Sequence, residues 1–162
     1  DAGTKLVDIS QQFLKIISRT FFPFLSRKID KHTLFSKIYM LFTLIVTLGL
    51  IFFAPFLIPV FFSEEFSESI KVLRLMAISG VFLTMSNIYG TNYLIIIGRE
   101  RSLRNLTMYA SLLGFVIAIP LIYYGGYMGA VAIIVFVRML LGVGSYLLAY
   151  NCKKNICKKN LL

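Results

Sequence analysis

Acidic side chains are scarce in this sequence. Seven Asp and Glu stand against seventeen Lys and Arg in 162 residues. The long apolar runs near residues 38–62, 75–97, 106–124 and 128–150 hold no acid at all. There is no nucleophile–base arrangement, no phosphate-cradling glycine loop and no cluster with metal-ligand spacing. The usual signatures of an enzyme are therefore missing, and no cofactor or metal is expected. The single histidine, His32, sits in a basic connector and reads as a surface residue. Two cysteines, Cys152 and Cys157, fall in a basic tail, where a lone pair at this spacing is neither a zinc signature nor a disulfide framework. No internal repeat, low-complexity tract or separate soluble domain is visible. The chain opens at Asp1 with no initiator Met and no signal-peptide pattern, and is expected to be the C-terminal part of a longer protein.

Apolar residues make up 58% of the chain and the mean hydropathy is +0.82. A soluble domain of this size cannot bury so much apolar surface, whereas a bilayer accepts it. The net charge of +10 does not argue for nucleic acid, because the basic residues gather at membrane boundaries rather than along one stripe. Each apolar run is long enough to cross about 30 Å of hydrocarbon as a helix. Pro55 and Pro59 lie near the outer end of the 38–62 run, and Pro120 near the outer end of 106–124, where bending is tolerated. Gly125-Gly126 leaves room only for a tight antiparallel hairpin.

The connectors between the runs alternate in charge. Residues 26–37 carry Arg27, Lys28, Lys31 and Lys37 against Asp30, a net +3. Residues 63–71 carry Glu64, Glu65 and Glu68 against Lys71, a net −2. Residues 98–105 are +2, residues 125–127 carry no charge, and the tail 151–162 is +4. Basic connectors stay cytoplasmic, so the pattern predicts a polytopic all-α membrane protein with its C-terminus inside. The glutamates of 63–71 read as a helix-start cluster that favours the macrodipole. Arg74 lies near an outer boundary and can snorkel to headgroups.

The segment 5–25 is amphipathic. Asp8, Gln11, Gln12, Lys15, Ser18 and Arg19 recur at helical spacing, and Leu6, Ile9, Phe13, Ile16, Ile17 and Phe24 cover much of the rest. It can lie flat in the interface, or it can span with its polar face on a water-filled cavity. The charge alternation favours spanning, which gives about five spans in all: 5–25, 38–62, 75–97, 106–124 and 128–150.

Small residues mark helix faces for close packing. Ala110, Gly114 and Ala118 form one stripe, Gly142, Ser145 and Ala149 another, and Gly80, Thr84, Asn87 and Thr91 a third. Packing is the plainer explanation of each. The functional one is that parts of them line a substrate path, with Asn87 foremost because a buried amide needs partners. Arg138 falls near the middle of 128–150, on the face of Gly142 and Ser145. A charge at that depth costs a few kcal/mol, about 3, even on lenient insertion scales. Either it pairs with a carboxylate, for which Asp8 is the nearby acid, or it joins Lys15 and Arg19 in biasing a cavity positive for an anionic substrate. Arginine suits phosphate because its planar fork engages two oxygens.

At these residues the chain resembles the C-terminal half of bacterial polysaccharide flippases, the Wzx-type O-antigen transporters of the multidrug/oligosaccharidyl-lipid/polysaccharide exporter superfamily. Phe21-Phe22-Pro23-Phe24-Leu25-Ser26 is similar to the end of a lobe helix in that family. Phe61-Phe62-Ser63-Glu64-Glu65-Phe66, followed by Ser69, Val72, Leu73 and Leu75, resembles its outer loop, with Ser63 where the family often has Gly. Asn87-Ile88-Tyr89-Gly90-Thr91, then Leu94, Gly98 and Asn105, resembles its helix–basic loop–helix junction. Gly126-Tyr127-Met128-Gly129-Ala130 is similar to its short outer turn.

The resemblance covers nearly the whole chain. It implies most of the second lobe of a two-lobe, MATE-like transporter whose N-terminal lobe lies outside this sequence. In that setting 5–25 is a spanning, cavity-lining helix. The implied function is flipping of undecaprenyl-pyrophosphate-linked oligosaccharide across the inner membrane for O-antigen or capsule synthesis. Lys15, Arg19 and Arg138 would meet the pyrophosphate, a polar wall including Asn87 the glycan, and Asp8 would serve ion pairing or coupling. Membrane lipids and the other lobe are the implied partners, and nucleic acid is not. Three other readings stand beside it: a small-molecule cation-coupled antiporter of the same architecture, a membrane-embedded glycan polymerase or transferase, and a noncatalytic membrane subunit. The antiporter should show an acid in its cavity. The polymerase would need a large exported loop, which the short connectors do not offer.

Overall fold

A computed structural model describes residues 2–27, 31–62 and 69–159. Lys28, Asp30 and residues 63–68, with Glu64, Glu65 and Glu68, lie outside the described residues, as do the side chains of Pro59, Lys154, Cys157, Lys158 and Lys159. Apart from a short turn at 95–99, the described residues are helical, in four α-helices: α1 (Ala2–Arg27), α2 (His32–Phe62), α3 (Ser69–Met85) and α4 (Glu100–Lys159). A π-helical stretch, Ser86–Leu94, continues α3 without a break. Three stretches are long and apolar enough to cross a membrane: His32–Ile58, Ser69–Leu94 and Glu100–Lys153. The chain is a multi-pass helical membrane bundle.

α4 is two legs, not one rod. Gly126 adopts φ 51° and ψ −131°, outside any helix. Gly129 then packs so closely on the Leu121 carbonyl that a Cβ would collide with backbone. Gly114 faces Val137 and Gly144 faces Leu106, so the legs 100–125 and 127–159 run antiparallel. The three pairs share a centre at the Gly125-Gly126 turn. Glycine is required at 126 because its φ is positive, and at 129 because another backbone occupies the space.

α3 is the hub, packed against α1, α2 and α4. Close approach again rests on small residues: Gly142 of α4 sits on the Phe82 carbonyl, and Gly80 lies against the Gln11 amide. α1 runs antiparallel to α2. Val7 shares a cluster with Ala54 and Ile58, Tyr39 donates its hydroxyl to the Leu14 carbonyl at 2.8 Å, and Phe21 meets Phe35 with ring centroids 5.7 Å apart.

The interior changes character along the bundle. Where α2 ends and α3 begins it is apolar, built from Val7, Ile58, Val72, Met76 and Val131. Toward the start of α2 the buried stripe becomes His32, Ser36, Tyr39, Thr43 and Thr47, at three- and four-residue spacing. Four of these, His32, Ser36, Tyr39 and Thr43, bond to backbone carbonyls; Thr43 donates to the Tyr39 carbonyl at 2.9 Å and lies 3.4 Å from the Thr84 hydroxyl.

His32 corrects the sequence reading. It is 6% exposed, not a surface residue, and its Nε2 lies 3.1 Å from the Ile88 carbonyl. The π-helical stretch opposite supplies that carbonyl, a partner 56 residues away that local sequence does not reveal. The turn that follows it closes at Gly98, φ 73°, where the Arg99 amide reaches back to the Leu94 carbonyl at 2.8 Å. This is the glycine-terminated helix end that a left-handed residue permits.

Candidate functional site

α1 has three faces rather than two. Val7, Gln11, Leu14, Ser18 and Leu25 form the buried stripe. Ile9, Phe13 and Ile16 are exposed on the outward apolar face. Between them runs an exposed polar edge of Asp8, Gln12, Lys15 and Arg19. Gln11 and Ser18, grouped with that edge by sequence, turn inward instead. The exposed edge is expensive to leave against lipid and inexpensive against water.

Arg138 lies in the interior where α1, α3 and α4 meet. Its side chain is 19% exposed, and its Nη2 stands 3.7 Å from Asp8 Oδ1, whose side chain is 57% exposed. Its Nη1 donates to Ser79 Oγ at 3.0 Å and touches Met76 Sδ at 3.8 Å. Ser79 sends its own proton to the Met76 carbonyl at 2.7 Å, so its lone pairs are free to accept from the guanidinium. The cation is thus gripped from the α3 side by a charge-assisted hydrogen bond and from the α1 side by a half-solvated acid.

The predicted site residues do not gather at one point. Asp8 and Arg138 meet directly. Lys15 and Arg19 follow on the same edge of α1, about 10 and 16 Å further along the axis at 1.5 Å per residue. Together they make a ladder of charge along one wall. Asn87 lies apart, in the π-helical stretch, and its buried Nδ2 has no partner.

Sequence reasoning passed over several polar groups. Asn92 donates its Nδ2 to Ser18 Oγ at 2.7 Å, while its Oδ1 and Gln11 Oε1 are buried without partners. Asn92 is 1% exposed. These two amide oxygens at the contact with α1, and Asn87 Nδ2 apart from them, suit ordered water or polar ligand groups. The signal lay in the cluster Asn87, Thr91 and Asn92, dense in amides for an apolar run. Among the described residues no group of three His, Cys, Asp or Glu could hold a metal ion.

The chain is 29% identical over 147 residues to a protein of Shigella dysenteriae named "Putative O-antigen transporter". The match takes in 87% of this chain and 37% of that protein. No family model matches the chain, and no solved structure matches it.

Proposed function

We propose that this chain is part of one lobe of a transporter, not an enzyme, and that the protein moves a lipid-linked oligosaccharide across the bacterial inner membrane. The carrying observation is the polar edge of α1, whose Asp8 meets the half-buried Arg138, in a chain whose relative is named for O-antigen transport. In this reading α1 is a fifth crossing, and its charged edge borders the cavity shared with a second lobe. Arg138, Lys15 and Arg19 attract the pyrophosphate of an undecaprenyl carrier, and the unpartnered amides, Asn87 among them, engage the glycan. Asp8 neutralises Arg138 while the cavity is empty. Rocking of the two lobes would present the cavity to each side in turn. The alternation of connector charge supports a cytoplasmic C-terminus.

Disruption of the gene in its host tests this directly. Surface polysaccharide should be lost while complete lipid-linked repeat units are still made and accumulate in the inner membrane. Normal surface polysaccharide, or failure to make the repeat unit, would reject the flipping step.

A further inference from the structure

At the end of the bundle where α2 begins and α4 finishes, a cavity of about 520 Å³ opens between α2, the π-helical stretch and the second leg of α4. None of Asp8, Lys15, Arg19, Asn87 and Arg138 lines it. Its walls are aromatic and mutually braced. The His32 ring, held by the Ile88 carbonyl, stands 4.9 Å from Tyr93. Tyr89 meets Tyr146 edge-on at 5.0 Å, and Tyr146 stacks on Tyr150 at 6.4 Å. Thr33, Ser36 and the Lys153 ammonium complete the polar lining, and no carboxylate is among the lining residues.

The chemistry selects the guest. A cage of electron-rich rings by itself suits an organic cation, but Lys153 in the wall opposes one. A purely apolar guest would cover the Thr33 hydroxyl and the Lys153 ammonium without bonding to them. A phosphate ester satisfies both halves of the lining: ammonium and hydroxyls donate to its oxygens, and ring faces cover its carbon. Position agrees. α2, α3 and α4 hold the three stretches apolar enough to cross a membrane, and the cavity lies at the ends of those stretches, where headgroups are. The same end carries Arg27, Lys31, Lys37, Arg99 and Arg101, all exposed, which raises the local concentration of anions.

We propose that this pocket is a binding site for a phosphate-bearing anion, with the headgroup of an acidic phospholipid as the source that the bilayer supplies. The test uses the whole protein, purified in mild detergent with phosphatidylglycerol or phosphatidylcholine and read by native mass spectrometry. Phosphatidylglycerol should be retained and phosphatidylcholine, which brings a cation to Lys153, should not. Lys153→Gln should lower retention about tenfold, the loss of one charge-assisted hydrogen bond, and Tyr146→Leu should lower it as well. Lys71→Gln, an exposed change at the opposite end, serves as the control and should leave it unchanged. Both pocket residues are exposed, and an unchanged elution profile will show that the variants fold. Lipid that withstands excess inorganic phosphate assigns the pocket to the headgroup, and lipid displaced by it assigns the pocket to the free anion; both uphold phosphate recognition. Equal retention of the two lipids, or full retention by Lys153→Gln, overturns it.

Discussion

Replacing Arg138 separates a structural role from a transport role. Its contacts have unequal worth. The Asp8 pair is long at 3.7 Å, and Asp8 is more than half exposed, so solvent screening leaves it about 0–1 kcal/mol. The Ser79 bond at 3.0 Å is charge-assisted and interior, worth about 1.5–3 kcal/mol. Against both stands the cost of holding a cation at membrane depth, about 3 kcal/mol or more. The terms nearly cancel. Arg138→Leu removes contacts and desolvation cost together, so stability should change by no more than about 1 kcal/mol in either direction. Transport should fall sharply, because the cation goes. Ser79→Ala leaves the charge without its main anchor and should destabilise by about 1.5–3 kcal/mol, more than Asp8→Asn. The assay is thermal unfolding of the whole protein in detergent, paired with complementation of surface polysaccharide in a strain lacking the gene. Full complementation by Arg138→Leu would refute the cavity role. A loss of folded protein equal to the loss of transport would refute the balance of terms.

Three further outcomes follow from the packing. Gly129→Ala should reduce folded protein strongly, by about 1–3 kcal/mol, since its Cβ meets the Leu121 backbone, while Gly125→Ala, with open space around it, should not; fluorescence-detected chromatography reads both. Ser18→Ala strips Asn92 of the partner of its Nδ2 and should cost about 1–3 kcal/mol in unfolding experiments. Cys152, half-buried near the end of α4, should resist a membrane-impermeant thiol reagent in intact cells and react after permeabilisation, as a cytoplasmic C-terminus requires; labelling from outside would reverse the topology.

The sequence by itself determined the class of structure. Four apolar runs without acids dictate membrane helices, since backbone groups in hydrocarbon must bond within their own segment. Gly125-Gly126 dictates a turn, and the structure folds α4 there. The amphipathic character of α1 was equally legible, because three- and four-residue spacing alone fixes a helical face. Tertiary structure decided which polar residues face which environment. Gln11 and Ser18 each lie one position from exposed Gln12 and Arg19, yet α3 and the π-helical stretch that continues it cover the first two and leave the others open. It also decided the partners of Arg138: Asp8 could be guessed as an acid within reach, but Ser79 and Met76 lie 59 and 62 residues away and come to the guanidinium only through the α3–α4 contact. His32 and the tyrosine-lined cavity went unseen for the same reason. Periodicity reports what one helix buries, whereas a site is made by what several helices bring to the same place.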